Sequence, residues 1–286
     1  MKRFICLISF LFLALSCANG QKPGREHFYD TPEDREIFAA YLSAMEGKNE
    51  RSMADLIVET ALFFQETPYV GGTLEKEPEG LVINLREMDC LTFVENVFSL
   101  VRTLKDKDPS YDTFCDYLQQ LRYREGQITD YTDRLHYTTD WIFENERKSL
   151  LEDKTKAIGG EPLALSLSFM STHPESYAQL NENPERIAVM AEKEKEINRR
   201  SYYYIAEEEI DRLADGMRSG DMVGFVTSIA GLDISHVGIL YRTKGRLTFI
   251  HASSTAKKVI VQEGTLTDYV KRIKTNKGVM IIRSQR

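Results

Sequence analysis

From Met222 onward the texture of this chain changes, and that change constrains its fold more than any other feature. Met222 to Val226, His236 to Tyr241, Leu247 to Ala252, Val259 to Gln262 and Val279 to Arg283 are short runs rich in β-branched and aromatic residues, a composition that suits a pleated, half-buried surface. Turn residues separate several of them, and Lys244-Gly245 between two runs predicts a hairpin. The preceding chain reads as helices. Thr31-Pro32-Glu33-Asp34 is a helix start, with a capping threonine, proline in the first turn and acids after it. Ile37, Phe38, Tyr41, Leu42 and Met45 give that helix an apolar face, and a second helix is expected from Ser52 to Gln65. Pro68-Tyr69-Val70-Gly71-Gly72 breaks the pattern as a turn-rich loop, and Leu81 to Leu85 is a candidate short strand. Residues 106–205 are charged and mostly helical, with polar connectors around Gly126, Gly159-Gly160 and Asn181 to Pro184; they read as a helical insertion rather than an independent domain. Helices first and an antiparallel sheet last imply an α+β fold, one domain over 21–286 with N-terminal helices at 31–65 and the insertion at 106–205.

The first twenty residues read as an export signal. Lys2 and Arg3 precede an apolar stretch from Phe4 to Ala14 that is too short to span a bilayer. Ala18-Asn19-Gly20 before Gln21 fits a small-x-small cleavage site, giving a signal peptide over 1–20. The alternative is a lipoprotein signal ending at Ser16, because Leu15-Ser16-Cys17 is like a lipobox; Cys17 would then carry lipid and be the membrane link. Ala14, where a lipobox usually has leucine, favours plain secretion. Either way the protein is expected outside the cytoplasm, in the periplasm or cell envelope, with residues 21–30 as a mobile leader. Losing Lys2 and Arg3 moves the formal net charge from −7 to −9. Such an acidic chain has no electrostatic footprint for nucleic acid. A monomer is expected.

Of four cysteines, Cys6 leaves with the signal and Cys17 leaves or is lipidated, so Cys90 and Cys115 remain. Export permits a bridge between them. Against it, Cys115 lies in the apolar stripe Tyr111-Phe114-Cys115-Leu118-Leu121, which favours a buried, inert thiol. Cys90 follows Asp89 where Phe93, Val94, Val97, Phe98, Val101 and Leu104 begin one face of a helix. Asp89 is a natural N-cap, so Cys90 falls in the first turn, where orphan N–H groups and the helix dipole predict a lowered thiol pKa. A cysteine nucleophile needs a base, and histidine suits the task. His27 in the leader and His173 in a polar loop read as solvated. His236 opens the strand Ser235 to Tyr241 and His251 ends the run Phe249 to Ser253. The Lys244-Gly245 hairpin brings the two imidazoles close, so that the second can orient the first. Each histidine alone would be an ordinary strand residue; the combination is the signal.

Taken in order, Asp89-Cys90, Gly220-Asp221-Met222-Val223-Gly224-Phe225, Ser235-His236-Val237-Gly238-Ile239 and Phe249-Ile250-His251-Ala252-Ser253 resemble the signature of the NlpC/P60 superfamily of papain-like cell-wall hydrolases. The resemblance implies a papain-like NlpC fold, with the nucleophile helix packed on an antiparallel β-sheet. It also implies Cys90 as nucleophile, His236 as general base and His251 as the orienting residue. Tyr69 matches the superfamily's tyrosine-glycine motif beside the nucleophile, and Ser235 lies next to the base. One departure carries information. Common members have Ser-Gly after the cysteine, where the serine helps bind the γ-D-glutamyl part of the stem peptide; here Leu91 and Thr92 stand instead.

The segments Glu66 to Glu75, Asp89 to Asn96 and Arg134-Leu135-His136-Tyr137 resemble an exported branch described as N-acetylmuramoyl-L-alanine amidase-like. That resemblance implies hydrolysis of the amide between the muramic acid lactyl group and L-alanine in peptidoglycan fragments, 1,6-anhydro-muropeptides above all, during cell-wall turnover or recycling. It places Tyr69, Leu91, Thr92, Arg134, His136, Tyr137 and Ser235 on the substrate, and implies no cofactor. For Arg134, His136 and Tyr137 the residues themselves fit equally a surface loop with Trp141 and Ile142 packed behind it. Two other readings stand beside this one: a γ-D-glutamyl-diamino acid endopeptidase of the same fold, and a non-catalytic cell-wall-binding lipoprotein. The intact Cys90, His236 and His251 set weighs against the latter. A zinc amidase needs a ligand cluster such as His-Glu-x-x-His, which the sequence lacks.

Overall fold

A computed structural model describes residues 26–285. The signal expected over 1–20, its alternative end at Ser16 and the lipidation expected of Cys17 in that case lie outside the described residues. At its centre is an eight-stranded sheet with every pair antiparallel. Its order is Glu161–Leu163, Tyr202–Ala206, Asn276–Ser284, Met222–Thr227, Ile234–Thr243, Arg246–Ser253 and Lys258–Val261, with Leu151–Asp153 also paired to Asn276–Ser284. The hairpin joining Ile234–Thr243 to Arg246–Ser253 turns through Lys244 (φ 51°) and Gly245 (φ 77°), two successive left-handed residues whose twist matches the flanking strands.

Alternation along the strands gives the sheet two apolar faces. Met222, Val226, Ile239, Ile250, Met280 and Ile282 point into the larger core, while Val223, Phe225, Leu240, Phe249, Val279 and Ile281 point into a second one. The first face is covered by the helix Cys90–Leu104, whose Phe93, Val94, Val97, Phe98, Leu100 and Val101 are wholly buried. That helix is enclosed on all sides. It packs against the helices Met53–Phe63 and Tyr111–Arg122 and against the strands Ile234–Thr243 and Arg246–Ser253. With each such side chain contributing about 1.5–3 kcal/mol, the position of Cys90 is fixed by the core behind it. The short helix Leu266–Arg272 and the Ile210–Leu213 turn cover the second face.

Three features depart from the sequence reading. The region 106–205 is not only helical, because it supplies the strands Leu151–Asp153, Glu161–Leu163 and Tyr202–Ala206, which extend the main sheet. Its helices Tyr111–Arg122, Thr138–Arg147 and Pro184–Asn198 are thereby tied to that sheet. Tyr202-Tyr203-Tyr204-Ile205 is an aromatic and β-branched run of the kind that favours strands. The expected mobile leader is also partly built in, since Phe28–Tyr29 pairs in parallel with Leu81–Val82. The candidate strand at Leu81 to Leu85 is accordingly only two residues long. No disulfide joins Cys90 and Cys115, and Cys115 is buried in the larger core.

Candidate active site

Cys90 opens its helix as expected. Asp89 is the N-cap, its carboxylate accepting from the Thr92 N–H at 2.9 Å, while the Thr92 hydroxyl accepts from the Asp89 N–H at 2.9 Å. This reciprocal cap typically stabilises a helix by about 1 kcal/mol. The thiol lies against the first residues of the His236 strand, where the Val237 backbone hydrogen-bonds to it, and its own N–H and that of Leu91 point the same way. Burial raises the pKa values of Tyr69 and Tyr269, and the nearby Cys90 adds to the rise in both. Tyr69 is held there because its N–H donates to Lys257 O and the Val70 N–H donates to Met88 O.

The expected depression of the thiol pKa does not occur. Burial pushes it up, to about 12, and the Asp89 charge adds to the rise, against the backbone donors of Val237, Cys90 and Leu91. The residue that caps the helix therefore also places a negative charge beside the sulfur, offsetting the helix N-terminus. Burial likewise lowers His236 to about 4. His251 falls to about 3, through burial and the neighbouring His236. At neutral pH the site holds a neutral thiol and two neutral imidazoles.

His236 and His251 do meet. His236 pairs with Phe225 across the sheet, and its Nε2 lies 2.6 Å from His251 Nδ1 with the rings nearly perpendicular. Gly238 makes this approach possible: a Cβ there would stand 2.8 Å from the Phe249 ring and 3.2 Å from the His251 Cβ. Phe225, Phe249 and Tyr269 enclose the pair. The two histidines open onto a cleft of about 710 Å³ whose wall includes Ser235, Ser253, Thr255 and Arg272.

A second, smaller pocket of about 140 Å³ is bordered by Gly72, Asp89, Leu91, Arg134 and His136. Leu91 offers it an apolar wall. Thr92 does not face it, being 4% exposed with its hydroxyl in the cap. Arg134 is anchored by its own protein partners: Nε and Nη2 hold Glu79 at 3.0 and 2.8 Å, Nη1 holds Glu75 at 2.7 Å, and the guanidinium lies over Tyr131. It pins the Gly72–Glu79 loop, leaving no free fork for a substrate carboxylate. The His136 ring lines the same pocket with Nε2 3.0 Å from Tyr131 O, and burial drives its pKa down to about 3. Tyr137 is turned away, into the helical lobe, where its hydroxyl donates to Glu194 at 2.7 Å and accepts from the Met170 N–H. A substrate contact for Thr92 or Tyr137 is thus replaced by a cap and a lobe hydrogen bond. The Thr92 cap is local, its partner Asp89 standing three residues away, whereas Glu194 and Met170, the partners of Tyr137, sit on elements that only the fold brings near. His27 and His173 are exposed and line neither the histidine-side cleft nor the Leu91 pocket.

Sequence reasoning passed over three residues of the site. Gln262, the polar end of the run Val259 to Gln262, bonds to His251. Tyr269 packs on both histidines. Asp233, wholly buried, accepts from the Thr139 N–H and hydroxyl at 2.7 and 2.8 Å and so ties the lobe to the strand that begins at Ile234. Among the described residues no three His, Cys, Asp or Glu side chains are grouped to hold a metal ion.

Residues 59–279 match the profile of a family described as AmiA-like, N-acetylmuramoyl-L-alanine amidase-like. The chain is similar to an N-acetylmuramoyl-L-alanine amidase from Bacteroides uniformis, with a TM-score of 0.78 and 36% identity over 82% of this chain and 99% of that one. A Bacteroides fragilis protein provisionally named a xylanase gives 0.75 and 40% over 79% of this chain and 99% of its own. A Legionella pneumophila protein shares the fold at a TM-score of 0.66 and 24% identity, over 89% of this chain and 95% of that one. No curated protein matches the chain.

Proposed function

Because the chain belongs to the AmiA-like, N-acetylmuramoyl-L-alanine amidase-like family of cell-wall hydrolases, we propose that it is a papain-like cysteine amidase of the NlpC/P60 type. Its substrate is the amide between the lactyl group of N-acetylmuramic acid and L-alanine in peptidoglycan fragments, 1,6-anhydro-muropeptides above all, outside the cytoplasm. The observation that carries this reading is the Cys90 sulfur held against the Val237 backbone, one residue past His236, whose ring is 2.6 Å from His251.

In the free enzyme the thiol is neutral, so the reaction begins with a proton transfer rather than with a standing thiolate. The His236 imidazole takes the thiol proton as the sulfur attacks the lactyl carbonyl carbon, forming the C–S bond and an oxyanion. In this reading the Cys90 backbone N–H, free of a helical partner in the first turn, and the Tyr69 hydroxyl receive that oxyanion; each preorganised donor typically contributes about 3 kcal/mol. The imidazolium then gives its proton to the departing alanyl nitrogen as the C–N bond breaks. Water, deprotonated by the same ring, opens the thioester and restores the thiol. Low basicity suits the second half: an imidazolium in a buried site is a strong acid toward the amine.

Leu91 supports the amidase over the endopeptidase alternative, since it puts an apolar wall where a γ-D-glutamyl group would need a hydroxyl. Mass spectrometry of digested anhydro- and reducing-end muropeptides tests the reading directly. Intact stem peptide beginning with L-alanine is the expected product. Release of a fragment cut after D-glutamate would replace the amidase with the endopeptidase, and turnover by Cys90→Ala would remove the nucleophile.

A further inference from the structure

We infer that Gln262 is a positioning residue that fixes the tautomers of both histidines and so decides which nitrogen of His236 is the base. This role deepens the amidase reading and rests on it for the part His236 plays, but the hydrogen-bond geometry stands independently.

Gln262 is held by its backbone before its side chain is considered. Its N–H donates to Phe249 O at 2.8 Å, and its carbonyl accepts from the Thr248 hydroxyl at 2.7 Å. The side-chain amide then has one orientation. Its Nε2 lies 2.8 Å from Glu263 O, a carbonyl that only accepts, so the NH₂ must face that way and Oε1 must face His251. Oε1 is 3.2 Å from His251 Nε2. Because this oxygen also only accepts, Nε2 of His251 carries the proton. A neutral imidazole has one such proton, which leaves His251 Nδ1 bare, as an acceptor. At 2.6 Å from it stands His236 Nε2, which must therefore be the donor. His236 Nδ1 is left without a proton. The chain of donors thus runs from His236 to His251 to Gln262, and ends on a glutamine that is 7% exposed.

The direction of this chain matters for chemistry. A base must offer a lone pair to the thiol; with the opposite assignment His236 would carry its proton on Nδ1 and offer no lone pair there. The other titratable or charged groups around the pair are Cys90 with Asp89 beside it, Tyr269, Arg272, and Glu263 on the cleft wall. None of them accepts from His251 Nε2, so Gln262 alone terminates the chain among the described residues.

Long-range ¹H–¹⁵N spectra of the imidazoles in the intact protein test the assignment without any reference to activity. Both His236 and His251 are expected as the Nε2–H tautomer, and an Nδ1–H signal from either overturns the proposal. Kinetics supply the second arm. Gln262→Leu, which keeps volume but no acceptor, is expected to lower kcat by at least about tenfold at unchanged KM, because a mixed tautomer population removes part of the base. Gln262→Glu keeps the acceptor, so it is expected to retain kcat within about threefold near neutrality while moving the acid limb of the pH profile upward, since a carboxylate favours the imidazolium. Parent kcat and an unmoved pH profile in both variants would sink the idea. The parent spectrum decides the tautomers even where Gln262→Leu folds poorly. Activity surviving in Cys90→Ala would instead count against the amidase reading and leave the spectra to judge Gln262.

Discussion

The cleft beside the two histidines and the pocket beside Leu91 are built on opposite principles. The histidine-side cleft is wide, about 710 Å³, and walled by short hydroxyls with Arg272 at its rim. The Leu91-side pocket is small, about 140 Å³, and its arginines are already matched: Arg134 with Glu75 and Glu79, and Arg122 with Glu95 at 2.7 Å. Buried ions must be paired or they destabilise the fold. A side chain held by two protein carboxylates is a wall, whereas Arg272 on the histidine side lies over the Tyr269 ring. The comparison teaches that a cation near a nucleophile is informative about substrate only after its protein partners are known.

The largest effect is expected at the nucleophile. Cys90→Ala should reduce muropeptide hydrolysis by at least about 10⁴-fold while leaving the melting temperature near the parent's; turnover is read by product chromatography. Next comes the matched side. Arg134→Ala leaves the Glu79 carboxylate buried without its partner, and such a loss typically destabilises by about 3–5 kcal/mol, to be read by urea unfolding. A variant of full stability but raised KM would show that Arg134 belongs to the substrate after all, and erase the contrast.

Acid should act on both sides together. His236, His251 and His136 have folded values of about 4, 3 and 3, all below the unfolded imidazole value of about 6.5. Protons therefore bind the unfolded chain first. The stability these neutral histidines contribute is present in full above pH 6.5 or so and declines as pH falls from there toward their folded values. Unfolding free energy measured from pH 8 to pH 4 should drop progressively, and kcat/KM should hold until pH approaches the His236 value. An acid limb near pH 6.5 would mean that His236 is not buried as the fold places it.

Smaller effects sharpen the same contrast. Thr92→Ala removes the reciprocal cap at Asp89 and should lower stability by about 1 kcal/mol, with no change in which bond is cut. Tyr137→Phe removes the hydroxyl bonded to Glu194. It should change stability by about 1 kcal/mol and leave KM untouched; a raised KM would return Tyr137 to the cleft.

Local and periodic features were legible in the residues. Alternating apolar runs after Met222, a Lys-Gly turn and an aspartate before a 3.6-residue stripe each act over a few residues, so strands, hairpin and helix start could be read directly. The same locality let a hairpin bring His236 and His251 together. What could not be read was anything set by distant partners. Tyr202–Ala206 has a local run that favours a strand, but its place beside Asn276–Ser284 is set by that distant segment, and Arg134 is a strut because Glu79 lies 55 positions away in sequence and 2.8 Å away in space. The charge state of Cys90 belongs to the same class: the helix start predicts a lowered pKa, but burial and Asp89 reverse it. By itself the sequence determined which groups have the chemistry for a nucleophile and its base. Tertiary structure alone decided how each is solvated and to what it is bonded, because desolvation and hydrogen-bond partners depend on contacts between segments that are remote along the chain.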